Sequence, residues 1–281
     1  MMAKIRCVQS TFRFCLLACW VGGKNKHYAD KITFSLYTQT STNRHHNNLY
    51  NFFSCTSQAR PFSVMGTPLP REWLGLQQFP AATQTKLFEL LGKLKQENVN
   101  TLTIVVMGKG GVGKSSTINS LIGEQVVRVT AFQSEGLRPV MVSRSWAGFT
   151  LNVIDTPGLV EAGYVNHQAL ELIKGFLLNK TIDVLLYVDR LDVYRVDNLD
   201  KQIIRAITNS FGKEIWRKSL LVLTHAQLCP PDGLNYDVFS SKRSEGVLKA
   251  IRMGARIRKM DLEVCILFQV YLCGRHVGLP E

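Results

Sequence analysis

Gly108-Lys109-Gly110-Gly111-Val112-Gly113-Lys114-Ser115 is the stretch that decides how this chain is built. Its spacing is G-x-x-x-x-G-K-[ST], and it lies between an apolar run, Leu102 to Met107, and a segment suited to a helix, Ser116 to Ile122. An apolar run that ends in glycines reads as a buried strand entering a tight loop. Glycines let backbone N–H groups turn inward and approach phosphate oxygens, and the N-terminus of the following helix adds partial positive charge. In this pattern Lys114 reaches the β and γ phosphates of a nucleotide and Ser115 offers a hydroxyl to Mg²⁺. Gly108, Gly110, Gly111, Val112, Gly113 and Ser116 complete the expected cradle. A glycine-rich turn with a chance Lys-Ser pair would not need both the strand and the helix around it.

Downstream, Asp155-Thr156-Pro157-Gly158 lies 41 positions after Lys114, behind a predicted strand. Asp155 at a strand end can hold Mg²⁺ through a water, and the Gly158 N–H can sense a γ phosphate. D-x-x-G is common alone, but at this distance from the loop it favours a switch GTPase over an ATPase or a small-molecule kinase. The next residue is Leu159, where many GTPases place a Gln that orients the attacking water. A Leu cannot do this, so slow intrinsic hydrolysis is expected. Between the two motifs, the first switch falls on 129–139. A Thr normally closes over Mg²⁺ in this switch; Thr130 is available for that role and Gln133 is another candidate ligand through its carbonyl. Thr130, Ala131, Phe132 and Gln133 are all nucleotide-contact candidates, and a polar loop without a ligand role is the competing reading.

The base-reading motif [NT]-K-x-D should follow the next-to-last strand, and here that strand ends in Thr224-His225-Ala226-Gln227. His225 stands where a Lys stem usually covers guanine, and a ring can stack there instead. Gln227 replaces the discriminating Asp. Arg190-Leu191-Asp192-Val193-Tyr194-Arg195-Val196-Asp197 also follows a strand end. Either its arginines contact a partner's nucleotide, in the manner of an arginine finger, or they are neutralised by Asp192 and Asp197.

Strands and helices alternate around these motifs. Helices are predicted at 83–96 (Leu87, Leu90, Leu91 and Leu94 on one face, Thr83 as N-cap), 166–179, 198–211 (ended by Gly212) and 237–253 (ended by Gly254). Strands are predicted at 102–107, 139–146, 149–154, 184–188 and 219–224. The fold class is therefore α/β: a P-loop NTPase with three layers, a mostly parallel sheet carrying helices on both faces.

Composition fits one globular domain with flanking sequence: 281 residues, 46% of them apolar. The net charge of +13 is uneven, because residues 1–64 hold eight Lys/Arg and one acid, Asp30. No zinc-finger spacing, RNA-recognition signature or basic heptad array accompanies the charge, so nucleic acid is not the expected partner. Seven cysteines with no C-x-x-C pair read as reduced thiols facing a cytosol. The apolar runs Phe14 to Gly22 and Val264 to Cys273 cover nine and ten residues, and a membrane-crossing helix needs about 20.

At these motifs the chain resembles the plant AIG1-type GTPases, and among them the smaller receptor GTPases of the chloroplast outer-envelope translocon. The resemblance runs from Met65 to about Lys259. It rests on Arg71-Glu72-Trp73, Gln77-Gln78-Phe79, the phosphate loop, Phe132-Gln133-Ser134-Glu135-Gly136, Asp155-Thr156-Pro157-Gly158, Ile182 to Leu199 and the unusual Thr224-His225 pair. It implies GTP or GDP and Mg²⁺ as cofactors, with Lys114, Asp155, Gly158 and Arg195 serving hydrolysis and His225 facing the base. Ser115, Gln133 and Asp155 are implied around Mg²⁺. Arg190, Leu191, Asp192, Val193, Tyr194 and Arg195 form the implied dimer loop, with Arg195 reaching the partner's nucleotide. The implied partners are a second copy, larger receptor GTPases, precursor transit peptides and the outer-envelope import channel, on the cytosolic face of the envelope.

The expected organisation is a basic extension of transit-peptide-like composition, disordered or non-native (1–64), an N-terminal amphipathic helix (65–98), the GTPase domain (99–260) and an atypical tail (261–281). The family's edge strand, last helix and membrane anchor are expected to be missing or altered in that tail, with Val264 to Leu272 a candidate replacement for the strand. A truncated module that dimerises but binds nucleotide poorly is the alternative function.

Overall fold

The computed structural model describes residues 70–129, 138–225, 233–257 and 265–268. Its frame is the apolar run before the glycines. This strand (β2, Thr101–Gly108) is buried along nearly its whole length, as a central strand covered on both faces must be. It pairs in parallel with β4 (Phe149–Asp155) on one side and β7 (Val184–Arg190) on the other. With β1 (Arg71–Glu72), β3 (Val140–Trp146), β8 (Ser219–Thr224) and β9 (Cys265–Phe268) the sheet has seven strands in the order β1-β3-β4-β2-β7-β8-β9. Within this sheet, among the described residues, the one antiparallel pair is β3 with β4, joined at Ala147-Gly148, where both residues have positive φ.

Alternation along the central strands divides the core in two. Ile104 and Val106 of β2, Val184, Leu186 and Val188 of β7, and Leu220 and Val222 of β8 face helices α1 (Ala81–Gln96) and α2 (Lys114–Ile122). Val105 and Met107, Leu185 and Tyr187, and Leu221 and Leu223 face α3 (His167–Leu177), α4 (Asn198–Phe211) and α5 (Tyr236–Ala255). This is the predicted three-layer arrangement.

Helix boundaries follow local chemistry, with two corrections. Leu87, Leu90, Leu91 and Leu94 are the buried face of α1, but Thr83 does not cap it. The helix starts earlier, at Pro80-Ala81, and the Pro80 carbonyl accepts the N–H groups of Thr83 and Gln84 at 2.8 and 3.0 Å. Pro80 stands at the N-cap position, which leaves Thr83 buried inside the first turn. Nor does Gly254 end α5, which continues to Ala255. A Cβ on Gly254 would come 2.7 Å from Ile204 Cγ2, so this glycine serves the close approach of α5 to α4. Gly212 does end α4, and Asn166 caps α3 by accepting the Ala169 N–H at 2.8 Å.

The segment before α1 is built into the domain. Trp73, Leu76 and Phe79 lie in the same buried cluster as Leu102 and Ile122. The Trp73 indole donates to Ile122 O at 2.7 Å, and Gly75 N donates to Glu124 Oε1 at 2.8 Å. The Arg144 guanidinium clasps the other Glu124 oxygen at 2.7 Å. Burial acts to raise the Glu124 pKa, but the hydrogen bonds from Arg144 and Gly75 outweigh it and hold the group below its ordinary value. At the other edge, Cys265–Phe268 pairs in parallel with β8 and takes the edge position for which 264–272 was the candidate. Among the described residues no helix is long and apolar enough to cross a membrane.

Candidate nucleotide-binding site

The phosphate loop forms where β2 ends at the C-terminal edge of the sheet, the usual place for a ligand in such a fold. Gly108 is there for want of room: a Cβ would lie 2.3 Å from Val188 O and 3.2 Å from Val112 Cγ2. Gly111 and Gly113 have φ of 70° and 94°, in the left-handed region. These turns deliver the chain to α2, whose first residue is Lys114. The Lys114 side chain is 1% exposed, and its ammonium donates to Lys109 O across the loop at 2.8 Å. A buried ammonium spanning a glycine-rich loop at a helix N-terminus suits a polyphosphate.

Ser115 Oγ donates to Asp155 Oδ2 at 2.7 Å. Two motifs 40 positions apart therefore meet, bringing a hydroxyl and a carboxylate together at the mouth of the loop. Oxygen donors of this kind suit Mg²⁺, which keeps waters and phosphate oxygens for its other positions. Among the described residues no group of three or more His, Cys, Asp or Glu could hold a metal ion, so a magnesium site here would need the nucleotide to complete it. Behind Asp155, Thr156 Oγ1 donates to Val106 O at 2.6 Å and Leu159 N donates to Gly108 O at 3.1 Å. These bonds lock the second motif to β2 and leave Gly158 half-buried between them. The Leu159 side chain is fully buried in the core beneath α3. A short hairpin not foreseen from the sequence, β5 (Val160–Glu161) with β6 (Tyr164–Val165), follows directly.

On the base side, Thr224 Oγ1 lies 2.7 Å from Val112 O, so the end of β8 is tied to the phosphate loop. His225 follows with φ of 56°, its Nδ1 3.0 Å from Thr224 Oγ1. Burial, and after it the nearby Arg190 cation, lowers the His225 pKa against the opposing pull of Asp192. The shift favours the neutral ring, the form suited to a stacking surface. Thr130, Ala131, Phe132, Gln133 and Gln227 lie outside the described residues.

The loop after β7 answers the question of its two arginines separately. Arg190 is paired within the loop, its guanidinium donating to Asp192 at 2.9 and 2.5 Å. Arg195 is exposed and makes no ion pair among the described residues. Asp197 instead caps α4 in a reciprocal box with Asp200. Leu191 is buried, whereas Val193 and Tyr194 are exposed on the loop surface. Three charged partnerships gave no sequence signal. Asp189, at the end of β7, is buried against Arg243 of α5 at 2.6 Å, and burial raises its pKa despite that cation. Lys109 of the phosphate loop is paired with Asp200 and lies 3.8 Å from Asp197. Arg144 holds Glu124, as described above.

Residues 102–263 match the AIG1 family. The chain belongs to the AIG1 family. AIG1 domains are P-loop GTPases. Translocase of chloroplast 33 of Arabidopsis thaliana is 72% identical over 203 residues, which are 72% of this chain and 68% of that protein. The crystal structure of Toc33 from Arabidopsis thaliana in complex with GDP and Mg²⁺ has a TM-score of 0.68 and 69% identity, over 71% of this chain and 82% of that one. A further structure concerns the chloroplast translocon components atToc33 and psToc159, for whose GTPase activity dimerization is described as important. It has a TM-score of 0.70 and 70% identity, over 72% of this chain and 82% of that one.

Proposed function

We infer that this chain is a GTP-binding, slowly GTP-hydrolysing receptor of the chloroplast protein-import translocon. It would act at the cytosolic face of the outer envelope, pair with itself and with larger receptor GTPases, and recognise transit peptides of precursors bound for the import channel. The observation that carries the nucleotide half of this reading is the meeting of Ser115 and Asp155 at 2.7 Å beside the buried Lys114 ammonium. The identity to translocase of chloroplast 33 supports the receptor half.

Each residue has a definite task in this reading. The amides between Gly108 and Ser115 and the Lys114 ammonium neutralise and orient the β and γ phosphates. Ser115 and Asp155 would hold Mg²⁺, which when bound offsets negative charge on the phosphate oxygens. The Gly158 N–H reports the γ phosphate to the hairpin behind it. With its side chain fully buried, Leu159 leaves the attacking water without an orienting amide, and this accounts for slow turnover. Arg195, exposed and without an ion pair among the described residues, is the group that would cross to a partner's nucleotide. His225 would stack on guanine as a neutral ring.

A receptor switch acts only if its two nucleotide states bind partners differently. The test is titration of a fluorescent transit peptide against the chain with Mg²⁺ and either GDP or a non-hydrolysable GTP analogue. Affinities that differ by about tenfold or more between the two states are expected for a working switch. Equal affinities, or no peptide binding in either state, would remove the receptor reading while leaving GTP binding intact.

A further inference from the structure

Lys109 occupies a variable position of the phosphate loop, and its backbone and side chain have different partners. Its carbonyl accepts the Lys114 ammonium at 2.8 Å. Its own ammonium leaves the loop, pairs with Asp200 Oδ1 and lies 3.8 Å from Asp197 Oδ2. The contact is sheltered, the two side chains being 19% and 3% exposed. Asp200 Oδ2 is meanwhile used in the capping box, where it accepts Asp197 N at 3.0 Å. Asp197 Oδ1 returns the bond by accepting Asp200 N at 2.7 Å. Burial acts to raise the Asp197 pKa, but the amides of the box and the Lys109 cation outweigh it and lower the value. Lys109 therefore binds the hinge from which the 190–197 loop enters α4.

The other end of that loop is also fixed to the nucleotide site. Leu191 N donates to Thr224 O at 2.9 Å, and Thr224 is tied to Val112. Arg190 is held by Asp192, and its carbonyl lies 3.3 Å from Arg243 Nε. Exposed Arg195 thus stands on a short span secured at both ends to the phosphate loop, at one end through Val112 and at the other through Lys109. We propose that Lys109 is a positioning residue for dimer-dependent GTP hydrolysis: its ion pair with Asp200 sets the reach of Arg195 and transmits the state of the phosphate loop to the dimer face. A bound phosphate competes with Lys109 O for the Lys114 ammonium, so nucleotide exchange changes the bonding of the residue that steers the loop. This rests on the dimerising-GTPase reading above.

The test is a double-mutant cycle on the full chain, with the dimer dissociation constant measured by sedimentation in Mg²⁺ and GDP. Asp200→Asn removes the charge facing Lys109 but keeps an amide oxygen for the cap. Lys109→Met removes the other charge, Lys109→Arg retains it, and Arg195→Ala reports the dimer itself. Asp200→Asn is expected to weaken the dimer about fivefold or more, with GDP affinity of the monomer within about twofold of wild type. Lys109→Met is expected to weaken the dimer similarly, the double variant no more than either single, and Lys109→Arg to restore it. A purely structural role for the pair would lower thermal stability and GDP affinity together with dimer affinity, where the positioning role weakens the dimer alone. If Arg195→Ala weakens the dimer while Asp200→Asn and Lys109→Met do not, or if their effects simply add, the positioning role is wrong and the dimer reading stands. A wild-type chain that does not dimerise overturns the reading and this inference with it. Should Asp200→Asn fail to fold, the comparison of Lys109→Met with Lys109→Arg decides alone.

Discussion

Replacing Arg243 by Met should damage this domain more than any exposed change, and the amount follows from what is left behind. The Arg243 and Asp189 side chains are 1% and 4% exposed and 2.6 Å apart. Once the guanidinium is gone, Asp189 retains the Arg190 N–H at 2.8 Å as its nearest compensation, beneath the base side of the site. Stranding one member of a buried pair costs about 3–5 kcal/mol, a large part of the roughly 5–15 kcal/mol that holds a domain folded. At about 2–4 °C per kcal/mol for a domain of this size, the melting temperature should fall by roughly 6–20 °C. The pH dependence identifies the cause. Burial already holds the folded-state pKa of Asp189 above its unfolded value, against the pull of Arg243. A carboxyl with a raised folded pKa binds its proton more tightly when folded, so its contribution to stability is lost as pH rises through that folded value. Without Arg243 the folded pKa rises further, so the variant should suffer less near pH 5 than near pH 8. Adding Asp189→Asn, which removes the stranded charge, should recover most of the loss at the higher pH. Calorimetric scans of the wild type, the Arg243→Met variant and the double variant at the two pH values make the test. A loss under about 1 kcal/mol, or one that does not change with pH, would refute the argument.

Gly108→Ala should abolish or severely weaken nucleotide binding and lower stability by about 1–3 kcal/mol or more, because its Cβ would meet Val188 O at 2.3 Å; isothermal titration with GDP and thermal melts check both effects. Leu159→Gln should not accelerate hydrolysis, since position 159 points into the core rather than at the site. Burying its amide should cost about 1–3 kcal/mol, read by single-turnover hydrolysis and denaturant unfolding. GDP affinity should be flat from about pH 7 to 8.5 and change only in the acid range below the ordinary histidine value, because burial lowers the His225 pKa. His225→Ala should remove that acid-range change, as a pH series of GDP titrations would show.

The parts of the fold that sequence made legible are those carried by periodicity and obligatory chemistry. The β2 run ending in glycines, the Leu face of α1 and the two nucleotide motifs at their spacing together form a pattern that few other structures satisfy. Alternating strands and helices then leave little choice of architecture. What escaped the sequence was set by tertiary contact. Gly254 looks like a helix stop, but it is a point where α5 presses on Ile204. Thr83 looks like a cap, but Pro80 had already begun the helix. The two-residue strands Arg71–Glu72 and Val160–Glu161 are too short for any alternation to show. The ion pairs Asp189–Arg243 and Lys109–Asp200 join residues 54 and 91 positions apart, and no local signal links such positions. The question about the two loop arginines could be settled only by geometry, which commits Arg190 to Asp192 and leaves Arg195 exposed.

Calorimetric titration of the purified chain and its Lys114→Met variant with GDP and with ADP, each with Mg²⁺ and with chelator, tests the central claim most directly. The account predicts Mg²⁺-dependent binding of GDP in preference to ADP, with affinity lost by about tenfold or more in the variant, since a buried ammonium facing phosphate is worth at least one charge-assisted hydrogen bond. Binding that is absent, or that is the same with and without the Lys114 ammonium, would contradict it.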